Sequence, residues 1–214
     1  VLGQCLNSTT GRSPVSWGET PDRTSPPHYD PQHDHSRGDR TAHGPYSHCH
    51  WCGTPYPPGT VDWPRSCPGC AEISYRNPLP VVVVLLPVDL PDGDRQLVVI
   101  RRTIEPGYGE LAFPGGYIDY GESWQQAAVR ELREETGIHA DPADITLVST
   151  ASDSAGGFLC LFGLLPARPL ADLPPSQPTD ETDGWQLATA QTPLAFQFHT
   201  GVQQSWFTGD YAKL

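Results

Sequence analysis

The stretch GESWQQAAVRELREETGI, residues 121–138, restricts this chain more than any other part of it. Ser123 is a favourable helix N-cap, with Gln126 three residues on to complete a capping box, and Gly137 followed by Ile138 reads as a Schellman-type stop, so a helix is predicted over 124–136. Trp124, Ala128, Val129 and Leu132 make one apolar stripe for a core. Beside that stripe Glu131, Glu134 and Glu135 stand at i, i+3 and i+4, where helical side chains are neighbours. Like charges at such spacings cost a few tenths of a kcal/mol per pair on an exposed helix, and more when partly buried. Either Glu134 pairs with Arg130 and the others are solvated, or a divalent cation removes the repulsion, since carboxylate oxygens suit hard ions such as Mg2+ or Mn2+.

The flanks alternate strand and turn signals. NPLPVVVVLLPV (77–88) and RQLVVIRR (95–102) read as hairpin partners across PDGD (91–94), where Asp-Gly supplies the positive φ of a tight turn. LAFPGGYIDY (111–120) is strand material broken by Pro114, Gly115 and Gly116. DITLVSTAS (144–152) and GGFLCLFGLL (156–165) are two further strands, the second apolar on both faces and therefore central. A Pro-rich loop (166–178) leads to ETDGWQLAT, an edge strand, and Leu194, Phe198, Val202 and Trp206, four residues apart, mark a C-terminal helix facing the core.

The spacing of Gly116, Glu122, Arg130-Glu131-Leu132, Glu134-Glu135 and Gly137-Ile138 resembles the Nudix box of the Nudix hydrolases at every fixed position. The resemblance implies an α/β (α+β) fold for 78–214, an α/β/α sandwich on a mixed sheet. It also implies Mg2+-dependent cleavage of the phosphoanhydride in a nucleoside diphosphate joined to another group, such as ADP-ribose, a dinucleotide or a nucleotide sugar. By position Glu131, Glu134 and Glu135 look like the metal ligands, Glu131 the residue that orients or deprotonates water, and Arg130 the holder of a glutamate by a charge-assisted bond. Glu122 is a secondary ligand, a loop anchor or a complement to the helix N-terminus. Gly116 allows close backbone approach, and Arg102, with Arg101, is a candidate for touching phosphate. Where the family commonly has a glutamate three residues before Trp185, this chain has Thr182, which leaves Glu181 and Asp183 as candidates for a further carboxylate.

Upstream, Cys49, Cys52, Cys67 and Cys70 form C-x2-C-x14-C-x2-C, a spacing that suits tetrahedral Zn2+ with four thiolates and hence a structural ribbon over 46–77. Disulfides are the alternative, with nothing else in the chain suggesting secretion. His48 and His50 are spare ligands at best, and Cys5 and Cys160 are left over as structural or incidental. A zinc ribbon ahead of such a domain resembles the arrangement of bacterial NADH pyrophosphatases. Those enzymes carry an SQPWPFPxS array after the box, and the equivalent region here, VSTASDSAGGFLCLFGLL, has nothing comparable. Phe158 and Tyr117 are aromatics on which a base could stack, though packing is the plainer role. The rival function is a non-catalytic nucleotide sensor whose ribbon binds protein or nucleic acid.

A formal net charge of −12 argues against a general grip on nucleic acid or anionic lipid. The expected partner is a nucleotide-type small molecule, with a homodimer left open. No apolar run reaches the roughly 18 residues of a membrane span, and no secretion signal opens the chain, so a cytoplasmic protein is expected. Residues 1–45, polar and rich in Pro, Gly and Ser, read as a disordered tail; its His28, His33, His35 and His43 are a weak metal reading. Val1 with no methionine anywhere fits a non-ATG start, and a start placed too early would leave that tail untranslated.

Overall fold

A computed structural model describes residues 46–153 and 155–211; the expected tail, with its histidines and Cys5, lies outside the described residues. In chain order the strands and helices are β1 (Arg65–Ser66), β2 (Ile73–Ser74), β3 (Leu79–Leu85), β4 (Pro87–Asp89), β5 (Arg95–Arg102), β6 (Leu111–Ala112), β7 (Gly115–Tyr117), α1 (Trp124–Thr136), β8 (Thr146–Ser152), β9 (Phe158–Leu164), β10 (Arg168–Pro169), β11 (Thr182–Ala188) and α2 (Gln197–Phe207). They divide into two units, one of residues 46–60 with 67–70, the other of 61–66 with 71–211.

In the larger unit β3 is apolar on both faces, and both faces are covered. Val82 and Val84 meet Ala127, Ala128 and Leu132 of α1, while Val83 and Leu85 join the cluster that takes in Val202, Phe198 and Trp206 of α2. Helices therefore lie on opposite sides of the strands, as a sandwich requires. The mixed sheet expected is present, divided into two mixed sheets, beside a short antiparallel pair of β1 with β2. One runs β7-β3-β9-β8 with β3 and β9 parallel; the other runs β10-β4-β5-β11, with β6 added on β5 and β10 parallel to β4. The reason lies at Leu86–Pro87: the apolar run 77–88 leaves one sheet after Leu85 and enters the other at Pro87, so the hairpin across Gly93 is β4 with β5 rather than β3 with β5.

Three further expectations shift. Gly115 and Gly116 sit inside β7, paired with Val83 and Val82, and the break falls at Phe113–Pro114. A Cβ on Gly115 would lie 2.9 Å from Val83 Cα, so only glycine fits there. The Pro-rich loop contains β10, and the C-terminal helix begins at Gln197, with Leu194 before it. β9 is interior and β11 is an edge strand, as the sequence indicated. No helix among the described residues is long and apolar enough to cross a membrane.

Candidate functional site

Helix α1 forms over the residues predicted. The Ser123 hydroxyl accepts the Gln126 N–H, the Gln126 side chain accepts the Ser123 N–H, and Gly137 closes the helix at φ 73°. The glutamates do not all lie beside the apolar stripe. Glu134 is outside, its side chain 49% exposed; Glu131 is largely covered at 14%; Glu135 is inside, the residue only 5% exposed. Glu135 follows Ala128 and Leu132 at i+7 and i+3, which carries it onto the buried face.

Arg130 organises the outer part of this cluster. Its guanidinium donates to both oxygens of Glu122 (2.7 and 3.2 Å), to Glu131 Oε1 (2.7 Å), to Glu134 Oε2 (3.1 Å) and to the Tyr117 carbonyl (2.9 Å). Glu122 also accepts the Asp119 N–H at 2.8 Å, so it anchors the loop before α1. Hydrogen bonding from Arg130 and from that amide holds its carboxyl below the usual range against the opposing effect of burial.

Glu135 has no such arginine. Its Oε2 accepts the Gly115 N–H at 2.9 Å, and its main-chain carbonyl accepts the Thr182 hydroxyl at 3.1 Å. Burial raises the Glu135 carboxyl well above its ordinary value; the charges of Glu131 and Glu181 add to the rise, against the Gly115 bond and the positive field of Arg102. Burial likewise pushes Glu131 up to about 7; Arg130 pulls it back, and Glu134 and Glu181 raise it further. Glu181 therefore acts on both of these glutamates. Thr182, at the position where the family commonly has a glutamate, spends its hydroxyl on the helix backbone instead.

Gly116 has a local reason to be glycine. A Cβ there would stand 2.6 Å from Glu131 Cδ and 2.7 Å from its Oε2, so the missing side chain makes room for the carboxylate. Arg102 donates to the Pro106 carbonyl at 2.8 Å and lies over the Phe196 ring at 5.4 Å; Arg101 donates to the Gly109 carbonyl at 2.8 Å. Tyr117 and Phe158 pair with ring centroids 6.4 Å apart. The part played by Gly115 had no signal in the sequence beyond the glycine pair itself.

The donor set fits a hard cation: oxygen ligands only, two of them taken out of water, and mutual repulsion that raises their protonation. Among the described residues the donors that already converge are different ones. Cys49, Cys52, Cys67 and Cys70 have all four sulfurs within 4.8 Å of one another, with Cys49–Cys70 at 3.8 Å and Cys52–Cys67 at 3.6 Å. A tetrahedron with Zn–S bonds of about 2.3 Å has edges of about 3.8 Å, whereas a disulfide needs about 2.05 Å. The described cysteines are free. Gly69 and Cys70 N–H groups donate to Cys67 Sγ at 3.3 and 3.5 Å. Hydrogen bonding with Thr54 brings Cys52 down to about 6, which favours the thiolate a metal requires. Cys160 is buried in β9.

Residues 78–203, more than half of the chain, match the NUDIX domain family. The chain belongs to the Nudix hydrolase family. The NAD-capped RNA hydrolase NudC of Salmonella heidelberg (strain SL476) is 29% identical over 90 residues, 42% of this chain and 33% of that protein. This chain thus spans about a third of the length of the curated relatives it matches. A NUDIX hydrolase from Nitrosomonas europaea superimposes with a TM-score of 0.58 at 22% identity, over 78% of this Nudix chain and 93% of the other. The NUDIX domain of Shewanella oneidensis NrtR, complexed with ADP ribose, gives 0.53 at 21% identity, over 63% and 89%. Likeness at these identities shows the Nudix fold alone.

Proposed function

We propose that the protein hydrolyses the phosphoanhydride of a nucleoside diphosphate linked to a second group, using Mg2+ or Mn2+ held by Glu131, Glu134 and Glu135. The observation that carries this reading is that Glu135 is buried and Glu131 largely covered beside it, within the field of Glu181, with Arg130 bonded to Glu131 but not to Glu135. A bound divalent cation would neutralise phosphate oxygens and acidify water. The protein's own residues supply the rest. Glu131, held by Arg130 at 2.7 Å, is the residue that would orient water or accept its proton. Arg130 and Gly116 fix where that carboxylate stands, and Glu122 serves the site by holding Arg130 rather than by direct ligation. Arg102 offers its charge to phosphate.

Two similar proteins bear on the substrate: one is a hydrolase of NAD-capped RNA, the other a domain complexed with ADP ribose. Both ligands join a nucleoside diphosphate to a further moiety. The chain's own charge of −12 favours the small molecule over the RNA. The cysteine site, over 46–77, is read as a structural zinc ribbon ahead of a catalytic domain at 78–214, in a cytoplasm that keeps its thiols reduced. The test is hydrolysis of ADP-ribose, NADH, dinucleoside polyphosphates, nucleoside triphosphates and nucleotide sugars with either ion. Turnover of a diphosphate-linked nucleotide supports the reading; a flat panel with Mn2+ still bound favours a non-catalytic nucleotide sensor.

A further inference from the structure

His199 stands at the third position of α2, buried among Phe113, Phe162, Phe196 and Phe198, with ring centroids 5.5, 5.8, 5.0 and 5.4 Å away. A polar ring in such surroundings is costly unless it meets a need. Burial pushes its pKa down to about 3, and Arg102 adds to the fall, so the imidazole is neutral throughout the working range. A neutral imidazole accepts at one nitrogen and donates at the other. Nδ1 accepts the Phe113 backbone N–H at 3.2 Å, which puts the proton on Nε2.

Phe113 lies in the break between β6 and β7, where no strand neighbour serves its amide. The two residues after it leave the backbone little freedom. Pro114 has a fixed φ, and its carbonyl accepts the Val84 N–H at 2.8 Å. The next amide, Gly115 N–H, is the one that holds Glu135 Oε2. Two backbone hydrogen bonds and one proline thus connect the α2 imidazole to the most deeply buried carboxylate of α1.

We propose that His199 is a positioning residue: by accepting the Phe113 N–H it fixes the 113–115 backbone, aims the Gly115 N–H at Glu135, and so sets the orientation of that carboxylate. Its consequence for metal binding rests on the reading of Glu135 given above. The consequence for Gly115 does not.

Two near-isosteric variants of the full, zinc-loaded chain separate this role from packing. His199→Asn puts an acceptor oxygen at the place of Nδ1, and His199→Leu keeps the shape without it. The readouts are the Gly115 amide proton shift by NMR and Mn2+ affinity by electron paramagnetic resonance without nucleotide. His199→Leu is expected to move the Gly115 proton upfield and to weaken Mn2+ about tenfold, the range typical of groups that orient a metal ligand; His199→Asn is expected to restore both. A folded His199→Leu with both readouts as in the wild type overturns the proposal. Should that variant not fold, His199→Gln, which carries its oxygen toward the Nε2 side, replaces it: a Gly115 shift equal in Gln and Asn variants overturns the proposal, and a native shift in Asn alone supports it. A wild type that binds no Mn2+ sinks the functional reading, while the Gly115 comparison still decides this one.

Discussion

Around the four cysteines the donor atoms already lie within 4.8 Å of one another, two of the pairs at 3.6 and 3.8 Å, whereas along α1 the carboxylate oxygens are engaged by Arg130 and by the Gly115 amide. The cysteine site is made of turns with little apolar cover, its core among the described residues only Cys49, Tyr56 and Cys67. The carboxylate site is the reverse, a helix fixed by Ala127, Ala128 and Leu132 whose buried charges are only partly offset by a guanidinium, an amide and the field of Arg102. A unit with so small a core would depend on a bound metal to fold, and a helix with its own packing would not. The difference teaches which property each metal would control: structure in the first case, charge in the second.

Removing a ligand should therefore have its largest effect at the cysteines. Cys67→Ser is expected to abolish zinc retention, a loss on the order of 10 kcal/mol of metal-coupled folding free energy, read as zinc per chain by mass spectrometry. Retention of about one zinc by the variant would break the contrast. At the other site Glu135→Gln should leave the fold intact and cut kcat/KM about 100-fold or more, roughly 2.7 kcal/mol of transition-state stabilisation. Near-normal turnover would contradict the assignment of Glu135.

The charge account makes a separate demand on pH. Glu131 has a folded value of about 7 against an ordinary 4.5, and Glu135 is raised as well, so between those values the native state binds more protons than the unfolded state. Stability without divalent metal should then be fullest below about pH 4.5 as far as these two groups are concerned, and should fall as pH rises toward 7, by on the order of 3 kcal/mol for Glu131. Denaturation of the zinc-loaded chain across that window without added divalent cation, repeated with saturating Mg2+, measures it; the slope should flatten with the ion. A flat profile without Mg2+ would mean that the glutamates are already solvated.

Much of this contrast could be read in the residues. The cysteine spacing is local, and so are the Ser123–Gln126 box and Gly137 that bound α1, which is why the four cysteines emerged from the sequence as one cluster and α1 with its limits correct. The inward position of Glu135 did not, because what makes it tolerable comes from elsewhere: Gly115, twenty residues back, and Thr182, forty-seven residues on. The division of the apolar run at Leu86–Pro87 was hidden for a related reason, since strands of either sheet need the same branched side chains there. Glu122 shows the opposite case, a residue whose type and spacing suit a ligand but whose two oxygens are occupied by Arg130.

A smaller effect is expected where the backbone yields to a carboxylate. In Gly116→Ala the new Cβ would meet Glu131 Cδ at 2.6 Å, so the side chain of Glu131 must turn away from Arg130 or β7 must shift. A weakening of Mn2+ affinity by about tenfold, with zinc content unchanged, is expected by isothermal titration. Unchanged affinity would mean that the Glu131 rotamer seen here does not matter to the metal.

The mildest change should come at the far end of the helix. Ser123→Ala removes the hydroxyl that accepts the Gln126 N–H, and a lost N-cap costs about 1 kcal/mol. Glu131 and Glu135 lie two to three turns further on and are fixed by Arg130, Gly115 and core packing, none of which involves the cap. The variant should therefore melt a few degrees lower while holding Mn2+ and zinc as the wild type does. A parallel fall in Mn2+ affinity would show that the carboxylates depend on the helix as a whole, and the helix would then resemble the cysteine unit in needing every part of itself to hold its ion.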